Sequence, residues 1–262
     1  MIMKRYFFLI ALMNLFLQLS AQEPKVEFSI RYQTYHRITE DQKVPDPSNR
    51  QLDIMTDGSS AFYPYYGMVK TIIGKDTVMT DERKAQSGYE PYHVLKNRPR
   101  QGKLTYTATV FVNKFYYEEP MPEMQWETLE GDTVICGYPC QKARTTFRGR
   151  TWTAWYAMDL PYGDGPWKLC GLPGVILKAQ DALGDFSFTA FMIGKDMVQK
   201  EDRHPFVIKG YRKLTPKAFE EEQCDFYKDR FAYVSERNNF SKPDMKYTPK
   251  PQKPCLMEYS GK

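Results

Sequence analysis

The chain of 262 residues carries 37 Lys and Arg against 32 Asp and Glu, for a formal net charge of +5, and 42% of its residues are hydrophobic. A charge this small argues against nucleic-acid binding, which typically needs a strongly basic domain or patch. The length allows a full core in one large domain or, as the alternative, two; no linker interrupts the chain, so we expect one.

The N-terminus has the pattern of a secretory signal peptide. Two basic residues at 4–5 precede an apolar run to about residue 19, and Ser20-Ala21 supply the small side chains that signal peptidase accepts. The run is too short for a membrane span. Cleavage after Ala21 would lower the net charge from +5 to +3 and leave residues 22–262 as one mature β-rich domain. No cysteine precedes Cys136 to be lipidated at the new N-terminus, so we expect a soluble exported protein and not a lipoprotein. Because the apolar run is short, we also expect no transmembrane segment after signal removal.

Alternation of apolar and polar residues predicts long strands with one buried face. It runs through residues 26–33 at the start of the mature chain and returns at 104–112 and 186–192. Shorter strand candidates, each bounded by Gly, Pro, Asn or Asp, are Leu52–Met55, Ala61–Tyr63, Thr133–Cys136, Lys142–Phe147, Thr151–Ala157 and Val175–Ala179. The sequence therefore predicts a mainly β fold built on an antiparallel sheet.

Two segments have less uniform patterns. Residues 132–157 resemble a meander, with turn signals at Gly131-Asp132 and Arg148-Gly149. Residues 66–85 have mixed periodicity and are interrupted by Gly74, so they fit either a helix or a hairpin.

A late helix is predicted at about 216–237. Thr215 is a suitable N-cap, Pro216 suits the first helical position, and aromatic residues recur along one side of the segment. After Asn238-Asn239 the chain is rich in proline and lysine, so we expect an extended tail.

The loop at 161–174 has a restricted shape, because four glycines and three prolines surround a few large apolar residues. Gly171 and Gly174 permit positive φ or close backbone approach, and Pro173 between them removes a donor. Trp167 and Leu172 need something to pack against. One interpretation is a structural loop folded across an opening in a sheet; the other is the lip of a ligand or partner site.

Aromatic residues make up 15% of the chain, which is high for a single β-rich domain. Trp152 and Trp155 lie on one predicted strand and should point to opposite faces. Either both faces are covered, or one face lines an apolar groove or meets a partner. The candidate binding residues are Trp155, Tyr156, Trp167 and Leu172.

Charged residues give no pattern typical of catalysis. The histidines His36, His93 and His204 lack metal-ligand spacing, and no hydrolase, nucleotide or nicotinamide motif is present. Glu118-Glu119 is interpreted as solvated charge. We therefore expect no catalytic residue, metal or cofactor. The basic residues of the meander, interpreted as sheet-surface charges or as a docking patch for an anionic surface such as lipid headgroups, are Lys142, Arg144, Arg148 and Arg150.

The five cysteines allow at most two intramolecular disulfides in an oxidising compartment, and the connectivity cannot be read from the sequence. We expect at least one bridge. Cys140 and Cys170 lie near the loop and the meander, and Cys224 on the late helix could reach the tail. The candidates are Cys136, Cys140, Cys170, Cys224 and Cys255.

Several motifs together resemble those of the GLPGLI family of exported proteins from Gram-negative bacteria. The stretch Gly171–Leu177 is framed by Gly165-Pro166-Trp167 and Asp181, and Gly137–Ala143 and Ala154-Trp155-Tyr156 lie upstream. The likeness covers mainly residues 130–182, with valine at 175 where the family usually has leucine. It implies a periplasmic or outer-membrane-associated protein and no particular chemistry. The layout also looks like the open half-barrel of periplasmic lipoprotein carriers, a likeness of fold alone.

Three functions follow as hypotheses. The first is a non-enzymatic binding protein that holds a lipid-like ligand or a partner segment in an apolar groove under the 161–174 loop. The second is an interaction or scaffold component of a cell-envelope complex. An enzyme is third, because it would need a polar cluster with perturbed ionisation inside a pocket.

Overall fold

The structure, a computed structural model, describes residues 24–37, 39–40, 43, 46–65, 68–73, 76–81, 92–195, 197 and 208–238. The predicted signal peptide and proline-rich tail lie outside these residues. Within them the elements are β1 (Val26–His36), β2 (Asp46–Met55), β3 (Ser60–Pro64), β4 (Met68–Ile73), β5 (Asp76–Asp81), β6 (Tyr92–Lys96), β7 (Lys103–Val110), β8 (Asn113–Pro120), β9 (Glu127–Ile135), β10 (Tyr138–Phe147), β11 (Arg150–Ala157), β12 (Val175–Asp181), β13 (Phe186–Gly194), β14 (Arg212–Lys213), α1 (Pro216–Lys228) and α2 (Arg230–Asn238).

Twelve strands form one sheet in the order β14-β8-β7-β6-β3-β2-β1-β13-β12-β11-β10-β9. Neighbouring strands in it pair antiparallel, except β14 with β8. The predicted mainly β, antiparallel fold is confirmed. The ambiguous segment at 66–85 contains the hairpin of β4 and β5, which form a separate two-stranded sheet.

The large sheet is strongly curved and not closed. Strands β8 and β9 are consecutive in the chain, yet ten strand spacings separate them in the sheet, or about 48 Å if it were flat. The connection at 121–126 can span no more than about 25 Å. The two sides must therefore curl toward each other into an open half-barrel. We call the gap between β8 and β9 the seam.

The concave inner face carries the core. Strand alternation places one set of side chains inside, and the cross-strand register keeps that set together. Six of these inner residues have no exposed surface: Tyr32, Leu52, Phe62, Val94, Trp152 and Phe188. The predicted opposition of Trp152 and Trp155 holds, because Trp155 lies on the outer face and is only half-buried.

One of the two predicted meander turns is correct. Arg148 and Gly149 have φ of 51° and 73°, as a tight hairpin turn between β10 and β11 requires. The turn expected at Gly131-Asp132 is wrong: Gly131, with φ of 112°, lies inside β9, where its register against β10 shifts. The β9–β10 turn is Cys136-Gly137 instead.

The late helix is confirmed in position but consists of two helices. The Thr215 hydroxyl accepts a hydrogen bond from the Ala218 amide at 3.1 Å, as expected of an N-cap. Asp229 is extended and ends α1, and its carboxylate accepts from the Ala232 amide at 2.9 Å, which caps the start of α2. Phe219 anchors α1 on the inner face, where its ring lies 5.8 Å from that of Tyr117 on β8.

Candidate functional site

Residues 158–174, which we call the clasp, connect β11 to β12 and pack on the inner face. Trp167 and Leu169 have no exposed surface, and Leu172 is 5% exposed. The Trp167 ring lies 5.5 Å from that of Trp152 on β11 and 5.7 Å from that of Phe147 on β10. The clasp therefore belongs to the core.

Backbone geometry explains the two glycines of the motif separately. Gly171 has φ of 91°, a conformation that side chains rarely adopt. Gly174 permits a close approach, because a Cβ there would lie 2.2 Å from the carbonyl oxygen of Ala157. Pro173 between them is exposed. The motif thus fits one chain path, in which the end of the clasp runs directly against the end of β11.

A buried lysine on β6 holds the middle of the clasp. Lys96 is 1% exposed. Its Nζ donates to the carbonyl oxygens of Gly165 at 2.7 Å and Leu169 at 3.0 Å, and to the Asp164 carboxylate. Because a buried ammonium needs its donors satisfied, this residue fixes the clasp to the sheet.

A second buried lysine ties the clasp to the far side of the seam. Lys168 has no exposed surface, and its Nζ donates to the Tyr117 hydroxyl at 2.9 Å and to Glu119 at 2.6 Å, both on β8. Arg148 in the β10–β11 turn also binds Glu119. The interpretation of Glu119 as solvated charge is wrong, since it is 7% exposed and joins three elements.

The connection at 121–126 fills the rest of the seam. Trp126 Nε1 donates to the Cys170 carbonyl oxygen at 2.9 Å, and the Cys170 thiol lies 3.7 Å from the Pro122 carbonyl oxygen. Thr145 on β10 donates to the carbonyl oxygen of Gln125 at 2.6 Å. Side-chain contacts from the clasp and this connection therefore join β8 to β10 where backbone pairing does not.

The predicted binding residues lie on different faces. Trp167 and Leu172 lie in the clasp and Tyr156 is 3% exposed, with its hydroxyl donating to Gln141 at 2.8 Å. These three belong to the packed interior. Trp155 lies on the outer face between two cations, with Lys178 Nζ at 4.7 Å and Lys142 Nζ at 5.7 Å from its ring centroid. The structure therefore does not bring the four together in one groove.

A buried ion pair at the start of β11 was not predicted. Arg150, interpreted as surface charge or part of a docking patch, is 5% exposed. Its guanidinium donates to Asp181 at 2.6 Å and to Asp185 at 2.8 Å. Asp181 also accepts from the Phe186 amide at 2.8 Å. The one available signal in the sequence was that Asp181 is among the residues that flank the Gly171–Leu177 motif.

A buried histidine lies elsewhere on the inner face. Burial, with a smaller effect from the nearby charge of Arg50, holds the pKa of His36 well below its usual value of 6.5. The ring is therefore neutral at neutral pH. His36 Nε2 lies 2.9 Å from the Thr34 hydroxyl oxygen.

No disulfide joins cysteines within the described part of the chain. The thiols of Cys136 and Cys140 point to the carbonyl oxygens of Ala190 and Tyr138, at 3.3 and 3.4 Å. Burial raises the pKa of the Cys170 thiol. Cys255, the tail cysteine that Cys224 could reach, lies outside the described residues. The expected bridges stay a prediction.

The described residues contain no group of three or more His, Cys, Asp or Glu side chains placed to hold a metal ion. Among them, no helix combines the length and the apolar character needed to cross a membrane.

The outer face of β10, β11, β12, β13, β1 and β2 presents a regular array that we call the outer strip. Its members share the outward side of strands whose register is continuous. One row is Lys142, Trp155, Lys178, Thr189, Gln33 and Asn49. The second is Arg144, Thr153, Gln180, Ser187 and Tyr35. All eleven are exposed or half-buried, and none is acidic.

Comparison with known proteins gives a family likeness and no activity. A family model described as a protein of unknown function (Porph_ging) matches residues 102–178, which include β7 to β11, the clasp and the first residues of β12. This is consistent with the GLPGLI-type resemblance. A search of curated proteins finds no match.

Solved structures similar to the chain include PNGF-II in two space groups. The form in space group P21 is 16% identical to this chain, with a TM-score of 0.47. The match covers 75% of this chain and 33% of the PNGF-II chain. The form in space group C2 is 14% identical to this chain, with the same TM-score of 0.47. The match covers 74% of this chain and 32% of the PNGF-II chain. The chain thus spans about a third of the length of these proteins.

Proposed function

We propose that the protein is a non-enzymatic binding protein of the cell envelope, exported by its signal peptide, and that it recognises its partner through the outer strip. The observation that carries this proposal is the division between the faces of β11. Trp152 is sealed in the core, whereas Trp155 is accessible and flanked by lysines on the neighbouring strands.

Because the clasp is buried, the outer strip is a better candidate for the recognition surface than a groove beneath the clasp. A groove would require Trp167, Leu169 and Leu172 to leave the inner face, and each buried side chain of this size contributes about 1.5–3 kcal/mol. The bonds of two buried lysines would also break. The total approaches the whole stability of a typical domain, which is about 5–15 kcal/mol. A lipid-like ligand in that groove therefore takes second place.

The buried polar clusters fit an architectural role better than catalysis. Lys168 and Glu119 are bound to each other, and Arg150 is bound by two carboxylates, all with little exposed surface. Groups held this way are paired with each other and largely shielded from solvent. This supports the non-enzymatic proposal.

Sedimentation of the purified protein with isolated cell envelopes tests the proposal. We expect the wild-type chain to sediment with the envelopes, and Trp155→Ala to stay in solution with an unchanged melting temperature. The matched control is Lys114→Gln on β8, an exposed lysine whose Nζ lies 5.6 Å from the Tyr211 ring; it should sediment like the wild type.

If Trp155→Ala and the wild type sediment equally, the outer strip is not the recognition surface. Recovery of a lipid in the interior by native mass spectrometry, retained in Trp155→Ala, would favour the groove instead.

A further inference from the structure

We infer that the partner of the outer strip is an acidic polysaccharide. Trp155 would stack on a sugar ring, while Lys142, Lys178 and Arg144 would pair with carboxylates along the chain. The inference rests on the proposed function, since it names the partner class of the same surface.

The polar side chains of the strip match a ligand rich in hydroxyl groups. Hydroxyls of Ser and Thr and amides of Asn and Gln each offer a donor and an acceptor, as a sugar hydroxyl does. These side chains make no hydrogen bond with one another or with other described residues, so their capacity faces solvent. The six are Gln33, Asn49, Thr153, Gln180, Ser187 and Thr189.

Trp155 supplies the apolar contact that a sugar ring needs. The C–H groups on one face of a pyranose ring are weakly polar and pack against the electron-rich face of an indole. Trp155 is half-buried, so its ring is held by the sheet while part of it stays accessible. The indole therefore forms a fixed platform at one end of the strip.

The charges of the strip select an anionic chain. Three of its members are cations and none is an acid. One of the three, Arg144, already forms a salt bridge with Glu127 on β9 at 2.7 Å. That pair is exposed, so Arg144 can exchange Glu127 for another carboxylate. Lys142 and Lys178 flank Trp155, so charge pairing and stacking fall at the same place. A neutral polysaccharide could stack on Trp155 but would lack the charge pairing.

The shape of the strip favours a linear chain over other anionic partners. It crosses six strands, or about 24 Å, in two parallel rows. A protein interface would need a desolvated apolar centre, and Trp155 and Tyr35 are the only large aromatic members of the strip. A lipid surface would need a denser basic cluster and apolar side chains to insert.

Isothermal titration with polygalacturonate, alginate and heparin, and with neutral dextran, tests the inference on the purified mature protein. We expect one or more acidic polymers to bind and dextran to bind at least tenfold more weakly. Trp155→Ala should reduce affinity about tenfold or more. The double variant Lys142→Gln/Lys178→Gln should also reduce it, and should flatten the dependence on salt concentration. Lys114→Gln should bind like the wild type.

Three results would overturn the inference: no binding to any acidic polymer, equal binding to dextran, or full affinity in Trp155→Ala. Its failure is separable from that of the proposed function. If the polymers do not bind but Trp155→Ala still loses envelope sedimentation, the outer strip remains the recognition surface and its partner has another chemistry.

Discussion

Two tryptophans three residues apart on β11 have opposite surroundings. Trp152 points inward, has no exposed surface and packs against the clasp. Trp155 points outward, between two lysines and beside a row of small polar residues. The same strand thus contributes one residue to closing the half-barrel and another to an open surface. Changes beneath the clasp should therefore affect stability, and changes on the outer strip should affect recognition.

The largest effect is expected from Gly174→Val. A Cβ at this position would lie 2.2 Å from the Ala157 carbonyl oxygen, which is backbone and cannot rotate away. We expect a loss of at least about 3 kcal/mol in the free energy of unfolding, or no folded protein. Gly171→Val, where φ of 91° costs strain and the new Cβ would make an ordinary contact with Trp126 Nε1 at 3.8 Å, should lose about 1–3 kcal/mol. Chemical denaturation measures both; a free energy of unfolding in Gly174→Val equal to that of the wild type would show that close approach does not matter at Gly174.

Lys168→Met should rank next. It leaves the buried Glu119 carboxylate with one fewer cation, and breaking a buried pair typically costs about 3–5 kcal/mol. Replacing both partners, as Lys168→Met/Glu119→Gln, should cost less than the two single changes added together. A double-mutant cycle by urea denaturation gives the coupling energy. Strict additivity would mean that this pair does not hold the clasp across the seam.

Leu172→Ala should follow with a loss of about 2–5 kcal/mol, because the side chain is 5% exposed and its removal leaves a cavity. Thermal melting reports it. Leu183→Ala, in the turn after β12 and 71% exposed, is the matched control and should change little. Equal melting temperatures for wild type and Leu172→Ala would show that the clasp is not packed in the core.

The smallest effect concerns His36 and pH. Its pKa is lowered in the folded protein, chiefly by burial, so below about pH 6.5 the unfolded chain binds a proton that the folded chain does not. The free energy of unfolding should therefore fall as pH drops from 7 to 5. His36→Gln should make that fall shallower. Denaturation curves at the two pH values check this; an unchanged slope in the variant would assign the pH dependence to other groups.

Much of the sheet could be predicted because its cause is local. Strands β1, β7 and β13 alternate apolar and polar residues along a few consecutive positions, which predicts a strand without knowledge of its neighbours. The expected single buried face is wrong for the middle of β1 and β7, where consecutive residues on both faces are buried. Strand β8 was missed because its inward positions end in Glu119, a residue that usually marks solvent. The split of the late helix was also missed, since an aspartate inside an amphipathic stretch is common, and here its cap geometry decides the break.

The fixed shape of the clasp could be predicted from its glycines and prolines, but its attachment could not. Lys96 binds Asp164 from 68 positions away, and Lys168 binds Glu119 from 49. Such pairs form only after the sheet has curled and leave no spacing in the sequence. The outer strip as a whole was missed for the same reason: its rows exist only across strands, and of its members only Trp155, Lys142 and Arg144 were singled out from the sequence.

Oxidative footprinting of the native mature protein, with mass spectrometry to count oxidised tryptophans, tests the central claim most directly. We expect Trp155 to be oxidised while Trp152 and Trp167 stay protected until the chain unfolds, as their burial requires. Oxidation of Trp167 at a rate close to that of Trp155 would contradict it, because the clasp would then open in the folded protein and the interior would again be the leading candidate for recognition.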